Sequence, residues 1–146
     1  MRRCSRATSD RHEWPPIINL SEAGGYFTSG SAALTPEFEG KVETSIADQI
    51  ADNLERYKVD VVEVIGHTDE QRVARSTSNL DDASIGVING RLPVDALQPA
   101  DNAGLGLARA IAVANVLKAK ANLKDVTVLP ISAAQLVVPD DKLTAG

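Results

Sequence analysis

The clearest pattern along the chain is an apolar stripe with helical spacing in its first third. Thr35 and Pro36 precede this stripe and supply a hydroxyl N-cap and a proline at the first helical position, and Glu37 places an acid in the first turn. The pattern therefore predicts an amphipathic helix that begins near Thr35 and ends near Tyr57. Its apolar side chains recur every three or four residues, at Phe38, Val42, Ile46, Ile50, Leu54 and Tyr57.

Two β-branched runs predict strands. Residues 59–65 are too few for a helix and place valines on both faces, which is typical of a central strand covered by helices. Gly66 is predicted to end this strand, so Asp69 would lie just beyond its carboxyl end, where open α/β sheets bind their ligands. Residues 126–129 predict a second strand, and residues 136–138 are a weaker candidate.

A second helix is predicted to begin at Asp101 or Asn102, either of which can act as its cap. Gly104 and Gly106 are poor helix formers, and their presence predicts a close approach of the helix backbone to a ligand or to a neighbouring strand. The apolar stripe of this helix contains Leu105, Ala108, Ala112 and Val116, and Leu107, Ile111 and Leu117 widen it.

The stretch from residue 70 to residue 101 is polar and contains Asn89-Gly90 and two prolines. This composition predicts a long loop insertion with room for a short helix. Ile85, Val87, Ile88 and Leu92 are expected to pack together as a small satellite cluster.

The chain of 146 residues is long enough for one domain with a single core. Residues 1–16 are polar and basic and end in Pro15-Pro16, so they are predicted to form a disordered arm or linker before a folded domain at residues 17–146. The formal net charge of −5 argues against a nucleic-acid or anionic-membrane surface. An aromatic content of 3% argues against a sugar-stacking platform.

The chain contains few residues of the types that usually catalyse reactions or bind metals. Cys4 is the only cysteine, which excludes an internal disulfide and any cysteine-based zinc site. His67 is accompanied only by His12, and neither lies in a metal-ligand or Ser-His-Asp pattern, so His67 is interpreted as a packing or hydrogen-bonding residue. Gly104-Leu105-Gly106 is an incomplete dinucleotide fingerprint because Arg109 occupies its third small position. We therefore expect no enzyme, no cofactor and no metal.

Two segments together carry a resemblance to a known family. Gly66-His67-Thr68-Asp69, followed by residues 102–113, resembles the OmpA-like peptidoglycan-binding domain of outer-membrane anchors, peptidoglycan-associated lipoproteins and MotB-type stator proteins. The family pattern reads G-x-T-D, a gap, then N-x-x-L-S-x-x-R-A-x-x-V. Residues 26–36 look like the family's first segment, and the resemblance extends from about residue 17 to about residue 130. The matching positions are Gly66, Thr68, Asp69, Asn102, Leu105, Arg109, Ala110 and Val113.

The resemblance implies an α/β fold, a β-α-β-α-β sandwich with two helices on one face of a mixed sheet. This chain departs from the family in its long insertion at residues 70–101, in Gly106 where serine is usual, and in the closing Asn-Arg-Arg strand, which is not found before Gly146. Whether that strand is lost or truncated stays open. No export signal or run of about 18 apolar residues is present, so the chain is expected to be a fragment of a longer protein.

The function implied by the resemblance is non-covalent binding of peptidoglycan in the periplasm, without catalysis. Asp69 would accept from the ammonium group of diaminopimelate in the stem peptide, and Arg109 would bind its carboxylate. Asn102 would hold the loop or the ligand through its amide, and Thr68 and Leu105 would shape the pocket. Without the resemblance, Asp69 is also compatible with a turn or N-cap role, and Arg109 with a solvated helix position.

Two alternatives stay open beside a simple wall anchor. The first is the periplasmic anchoring domain of a MotB-like ion-driven stator, and the second is a scaffold that keeps the fold but binds no ligand. Membrane attachment would come only through a segment absent from this chain. Stator-type relatives are dimeric, which leaves a homodimer open.

Overall fold

The computed structural model describes residues 17–18, 20, 26–27, 30–68 and 77–136. The predicted arm at residues 1–16, Asp69 and most of the weak strand candidate at residues 136–138 lie outside the described residues. Within the described ranges the fold is mixed α/β, which confirms the predicted class. Helix α1 consists of Pro36–Lys41, a π-helical stretch Val42–Ile46, and Ala47–Tyr57; it is followed by β1 (Val61–His67), α2 (Leu80–Ile88), a 3₁₀ turn (Val94–Ala96), α3 (Asn102–Lys118), a 3₁₀ turn (Ala121–Leu123) and β2 (Thr127–Ala134).

Helix α1 begins where the sequence predicts. The hydroxyl oxygen of Thr35 accepts a hydrogen bond from the backbone N–H of Phe38 at 3.3 Å, and Pro36 occupies the first helical position. The helix ends in a Schellman motif, in which Val59 N–H donates to Leu54 O at 3.1 Å and Lys58 N–H donates to Glu55 O at 3.4 Å. Lys58 has a φ of 56°, in the left-handed region.

We expect the substitution Lys58→Gly to stabilise the protein by about 1 kcal/mol, because glycine adopts left-handed backbone without the steric cost of a β-carbon. Urea unfolding followed by circular dichroism measures the change. Arg56→Gly is the matched control: it removes a basic side chain inside the same helix end and is expected to destabilise by about 1 kcal/mol. A lower midpoint for Lys58→Gly would contradict the left-handed cap.

The two described strands pair in parallel. Their register runs from Val61 opposite Thr127 to Gly66 opposite Ser132, with Pro130 opposite Val64 in the middle of β2. A β-bulge then places His67 opposite Ala134. Strand β1 thus continues through Gly66, which was predicted to end it, and β2 is longer than the predicted strand at residues 126–129. The only antiparallel pairing within the described residues is the isolated bridge between Phe27 and Leu34.

One face of the sheet carries the main core. Val64 and Val128 pack against a cluster of side chains from α1 and α3, so both helices lie on the same side of the sheet. On the other face, four large apolar side chains of the two strands have between 37% and 49% of their surface exposed: Val61, Ile65, Leu129 and Ile131. Although the valines on both faces of β1 are typical of a central strand covered by helices, no described helix covers this second face. The buried members of the main cluster are Phe38, Val42, Ile46, Ala47, Val113, Leu117 and Leu123.

The described part of the predicted insertion, residues 77–101, is folded against the core. Helix α2 buries residues three and four apart, and these join a second buried cluster with residues of α3. The predicted satellite cluster is therefore corrected: Val87 is buried, but Ile85 is 60% exposed and Leu92 41% exposed, because Ile85 lies on the opposite side of α2. The second cluster contains Leu80, Ala83, Val87, Leu97, Ala108 and Ile111.

Hydrogen bonds also fix this segment in place. The side-chain amide of Asn79 donates to Ala96 O at 2.7 Å and accepts from Gln98 N–H at 2.7 Å. At the carboxyl end of α2, Asn115 Nδ2 donates to Val87 O and Lys118 Nζ donates to Ile88 O. Side chains of α3 thus cap the carboxyl end of α2 and hold this helix against the rest of the domain. None of the described helices combines the length and apolarity needed to cross a bilayer.

Candidate ligand site at the carboxyl end of the sheet

Two glycines allow α3 to lie directly on the strands. A β-carbon on Gly66 would overlap the carbonyl oxygen of Gly106 and lie 3.1 Å from Ala110 N. A β-carbon on Gly106 would lie 2.5 Å from Ser132 Oγ and 3.0 Å from Gly66 O. Of the two alternatives that the sequence leaves for Gly106, a ligand or a strand, the structure shows close approach to the strands. Gly104 instead faces side chains of Leu80 and Pro99.

The first turn of α3 is anchored from both sides. Asp101 is its N-cap, with extended backbone and a carboxylate oxygen that accepts from Gly104 N–H at 2.8 Å, as predicted. Ser132 of β2 donates from its hydroxyl to Ala103 O at 2.6 Å, and the same oxygen accepts from Ala134 N–H at 3.1 Å. Sequence reasoning missed Ser132, since no local pattern links it to a helix 29 residues away.

Arg109 points to the carboxyl end of β1. Its Nε donates to Ser31 O at 2.8 Å, and Nη1 donates to His67 O at 3.4 Å. The guanidinium carbon lies 4.8 Å from the centre of the Phe27 ring, which is a cation–π contact. These three contacts hold the half-buried guanidinium at one place and in one orientation.

The first residue after β1 still forms a backbone hydrogen bond with β2. Thr68 N–H donates to Ala134 O at 2.9 Å, and Ala134 has a φ of 51°, a left-handed conformation that is costly for a residue with a β-carbon. Bulges of this kind are common beside binding sites, where they redirect a side chain. Asp69, the next residue, lies outside the described residues.

The described candidates from the sequence lie on α3 and directly after β1. Asn102, Leu105 and Arg109 are spaced by three and four residues along α3, so they share one face of that helix. Asn102 and Leu105 are buried, and Arg109 reaches His67, the neighbour of Thr68 in the chain. Leu105 is 3% exposed, so its contribution to a pocket is through packing.

Sequence reasoning did not assign Phe27 or Ser31 as partners of Arg109, although both lie in the segment of the resemblance at residues 26–36. Their only signal is an aromatic residue and a small-residue loop near a later arginine. In the described part of the chain, no group of three or more His, Cys, Asp or Glu residues is placed to hold a metal ion. Comparison with known proteins gives no family that matches this chain and no curated protein that matches it.

Proposed function

We propose that this domain binds peptidoglycan non-covalently, through the diaminopimelate of the stem peptide, and acts in the periplasm as an OmpA-like wall-binding domain. The observation that carries the proposal is the position of Arg109, whose guanidinium is fixed against the carboxyl end of β1. The residues that follow this strand end are Thr68 and Asp69, the second half of the G-x-T-D segment.

The proposed ligand is a zwitterion, and the site supplies both charges. An arginine side chain binds a carboxylate through two parallel hydrogen bonds, and an aspartate accepts from an ammonium group. Ser31 and Phe27 hold the guanidinium before any ligand arrives. This preorganisation lowers the entropy lost on binding.

The remaining proposed residues support this pair. Asn102 lies on the same face of α3 as Arg109, and its amide would hold the ligand or the segment that contains Asp69. Thr68 is fixed by its bond to Ala134 and would form one wall of the pocket, while Leu105 supports it by packing. No residue is assigned a catalytic role.

The topology of the whole domain is part of the same proposal. We infer a β-α-β-α-β sandwich with a mixed sheet for the whole domain. Its support is the order α1, β1, α3, β2 in the described residues and the packing of α1 and α3 on the same sheet face. Helix α2 would be an addition within the segment that separates the two parts of the family pattern.

Co-sedimentation with purified diaminopimelate-type peptidoglycan tests the function. We expect wild-type protein to pellet with the wall, and Asp69→Ala and Arg109→Ala to lose about 30-fold or more in affinity, because each leaves a charge without its partner. Arg91→Ala is the matched control: Arg91 is exposed and its backbone N–H donates to Gly86 O, so removing its side chain should leave binding unchanged.

A second control changes the ligand. Lysine-type peptidoglycan lacks the carboxylate that Arg109 is proposed to bind, so wild-type protein should bind it as weakly as Arg109→Ala binds the diaminopimelate type. Circular dichroism establishes that each variant is folded. If folded wild-type protein stays in the supernatant with diaminopimelate-type wall, the binding proposal is wrong and the domain is a scaffold.

A further inference from the structure

A groove of about 550 Å³ opens on the helical side of the domain. Its walls come from α1, the loop at residues 32–34, the 3₁₀ turn Val94–Ala96, the second half of α3 and the two residues that follow α3. Aliphatic side chains form much of its lining, among them Leu34, Val94, Ala112 and Val116.

The charged part of the lining is mostly acidic. Glu39 and Glu43 come from α1 and Asp95 from the 3₁₀ turn. The lining therefore has three carboxylates and one ammonium group, that of Lys120. Glu39 and Glu43 are four residues apart on one helix, a spacing at which like charges destabilise the helix. Glu43 also lies in the π-helical stretch, a kind of helix irregularity that is frequent at functional sites.

These carboxylates come from two walls of the groove. Within the described residues, no three of the acidic, histidine or cysteine side chains come close enough together to hold a metal ion. A single small cation would therefore meet only part of the charge. A chain with several cationic groups, spaced along its length, would meet all of it. The negative charge disfavours a nucleic acid.

We propose that this groove, lined by Leu34, Glu39, Glu43, Asp95 and Val116 among others, binds a segment of a partner polypeptide in which basic side chains alternate with small aliphatic ones. The aliphatic side chains would bury apolar surface against the alanines and valines of the lining. The basic side chains would pair with the carboxylates on both walls. Arg109 does not line the groove, so this proposal is independent of peptidoglycan binding.

Fluorescence anisotropy with a labelled hexapeptide of alternating arginine and valine tests the proposal on the full chain. We expect saturable binding that weakens at high salt, and at least about a tenfold loss of affinity in the double variant Glu39→Gln/Glu43→Gln. Asp48→Asn/Asp52→Asn is the matched control. It removes the same charge from exposed residues at the same spacing on the same helix, outside the groove, and should change affinity by less than about threefold.

A blocking variant tests the apolar part of the site. Ala119 is exposed and lines the groove, so Ala119→Phe should fill it without disturbing the core and should also weaken binding.

Equal losses in the two double variants would show binding to net charge alone and would overturn the proposal. No saturable binding up to about 1 mM peptide would overturn it as well. A change in oligomeric state of Glu39→Gln/Glu43→Gln without peptide would instead identify a second copy as the occupant.

Discussion

The substitution Gly66→Ala is expected to unfold the domain or to reduce its free energy of unfolding by about 3–5 kcal/mol. The added β-carbon would overlap the backbone carbonyl of Gly106 and would also crowd Ala110 N. Backbone atoms in the middle of a helix cannot turn aside as a side chain can, so α3 would have to move away from β1. A loss of this size is a large part of the stability of an ordinary domain.

Gly40→Ala is the matched control for this prediction. Gly40 lies in α1, and a β-carbon there would meet nothing within 4 Å, so the same substitution should stabilise by up to about 1 kcal/mol through helix propensity. Urea unfolding followed by far-UV circular dichroism compares both variants with wild-type protein. If Gly66→Ala unfolds at the wild-type urea concentration, α3 does not cross β1 at this glycine.

The substitution Ile111→Ala is expected to cost about 2–5 kcal/mol, because it leaves a cavity at a fully buried position. Ile111 lies on α3 and belongs to the buried cluster that holds Leu80 and Val87 of α2. The variant therefore tests whether residues 77–101 are part of the core or only an attached segment.

Ile85→Ala makes the same chemical change on the exposed side of α2. Its effect should stay within about 0.5 kcal/mol of wild type, because surface substitutions away from special features change little. The two midpoints from thermal unfolding give the comparison. Similar midpoints for Ile111→Ala and Ile85→Ala would contradict the second cluster.

Local patterns in the sequence were sufficient for the main elements. The capped stripe from Phe38 to Tyr57 predicts α1, and Asp101 marks the start of α3, because both signals depend on neighbours within one helical turn. The valines before Gly66 predict β1 for the same reason. These parts of the α/β fold therefore follow from short-range chemistry alone.

The π-helical stretch was not predicted, although the sequence carries a signal for it. The apolar residues of α1 are spaced by four residues from Phe38 as far as Leu54. A step of four residues in an α-helix turns by about 400°, so such a stripe drifts by about 40° at each step. The wider π-helical turn at Val42–Ile46 turns less per residue and reduces this drift, which keeps Val42 and Ile46 buried.

Contacts between distant residues account for what the sequence did not reveal. Helix α2 is short and contains Gly86, so its local signal is weak, and its carboxyl end is capped by side chains of α3 about 30 residues later. Arg109 is held by Ser31, which is 78 residues away along the chain. Neither contact leaves a periodic pattern, so Arg109 was predicted as a site residue without the partners that orient it.

Pro130, in the middle of β2, affects how well a further strand can pair with this sheet. Proline has no amide hydrogen, so Val64 must supply the ladder hydrogen bonds at that level, and the missing donor of Pro130 faces the edge of β2 that is turned away from β1; no described strand pairs at that edge. A further strand added at that edge would lack one hydrogen bond at its centre. Templated addition of extended chains along β2 is thereby disfavoured, as natural sheets require of their edges.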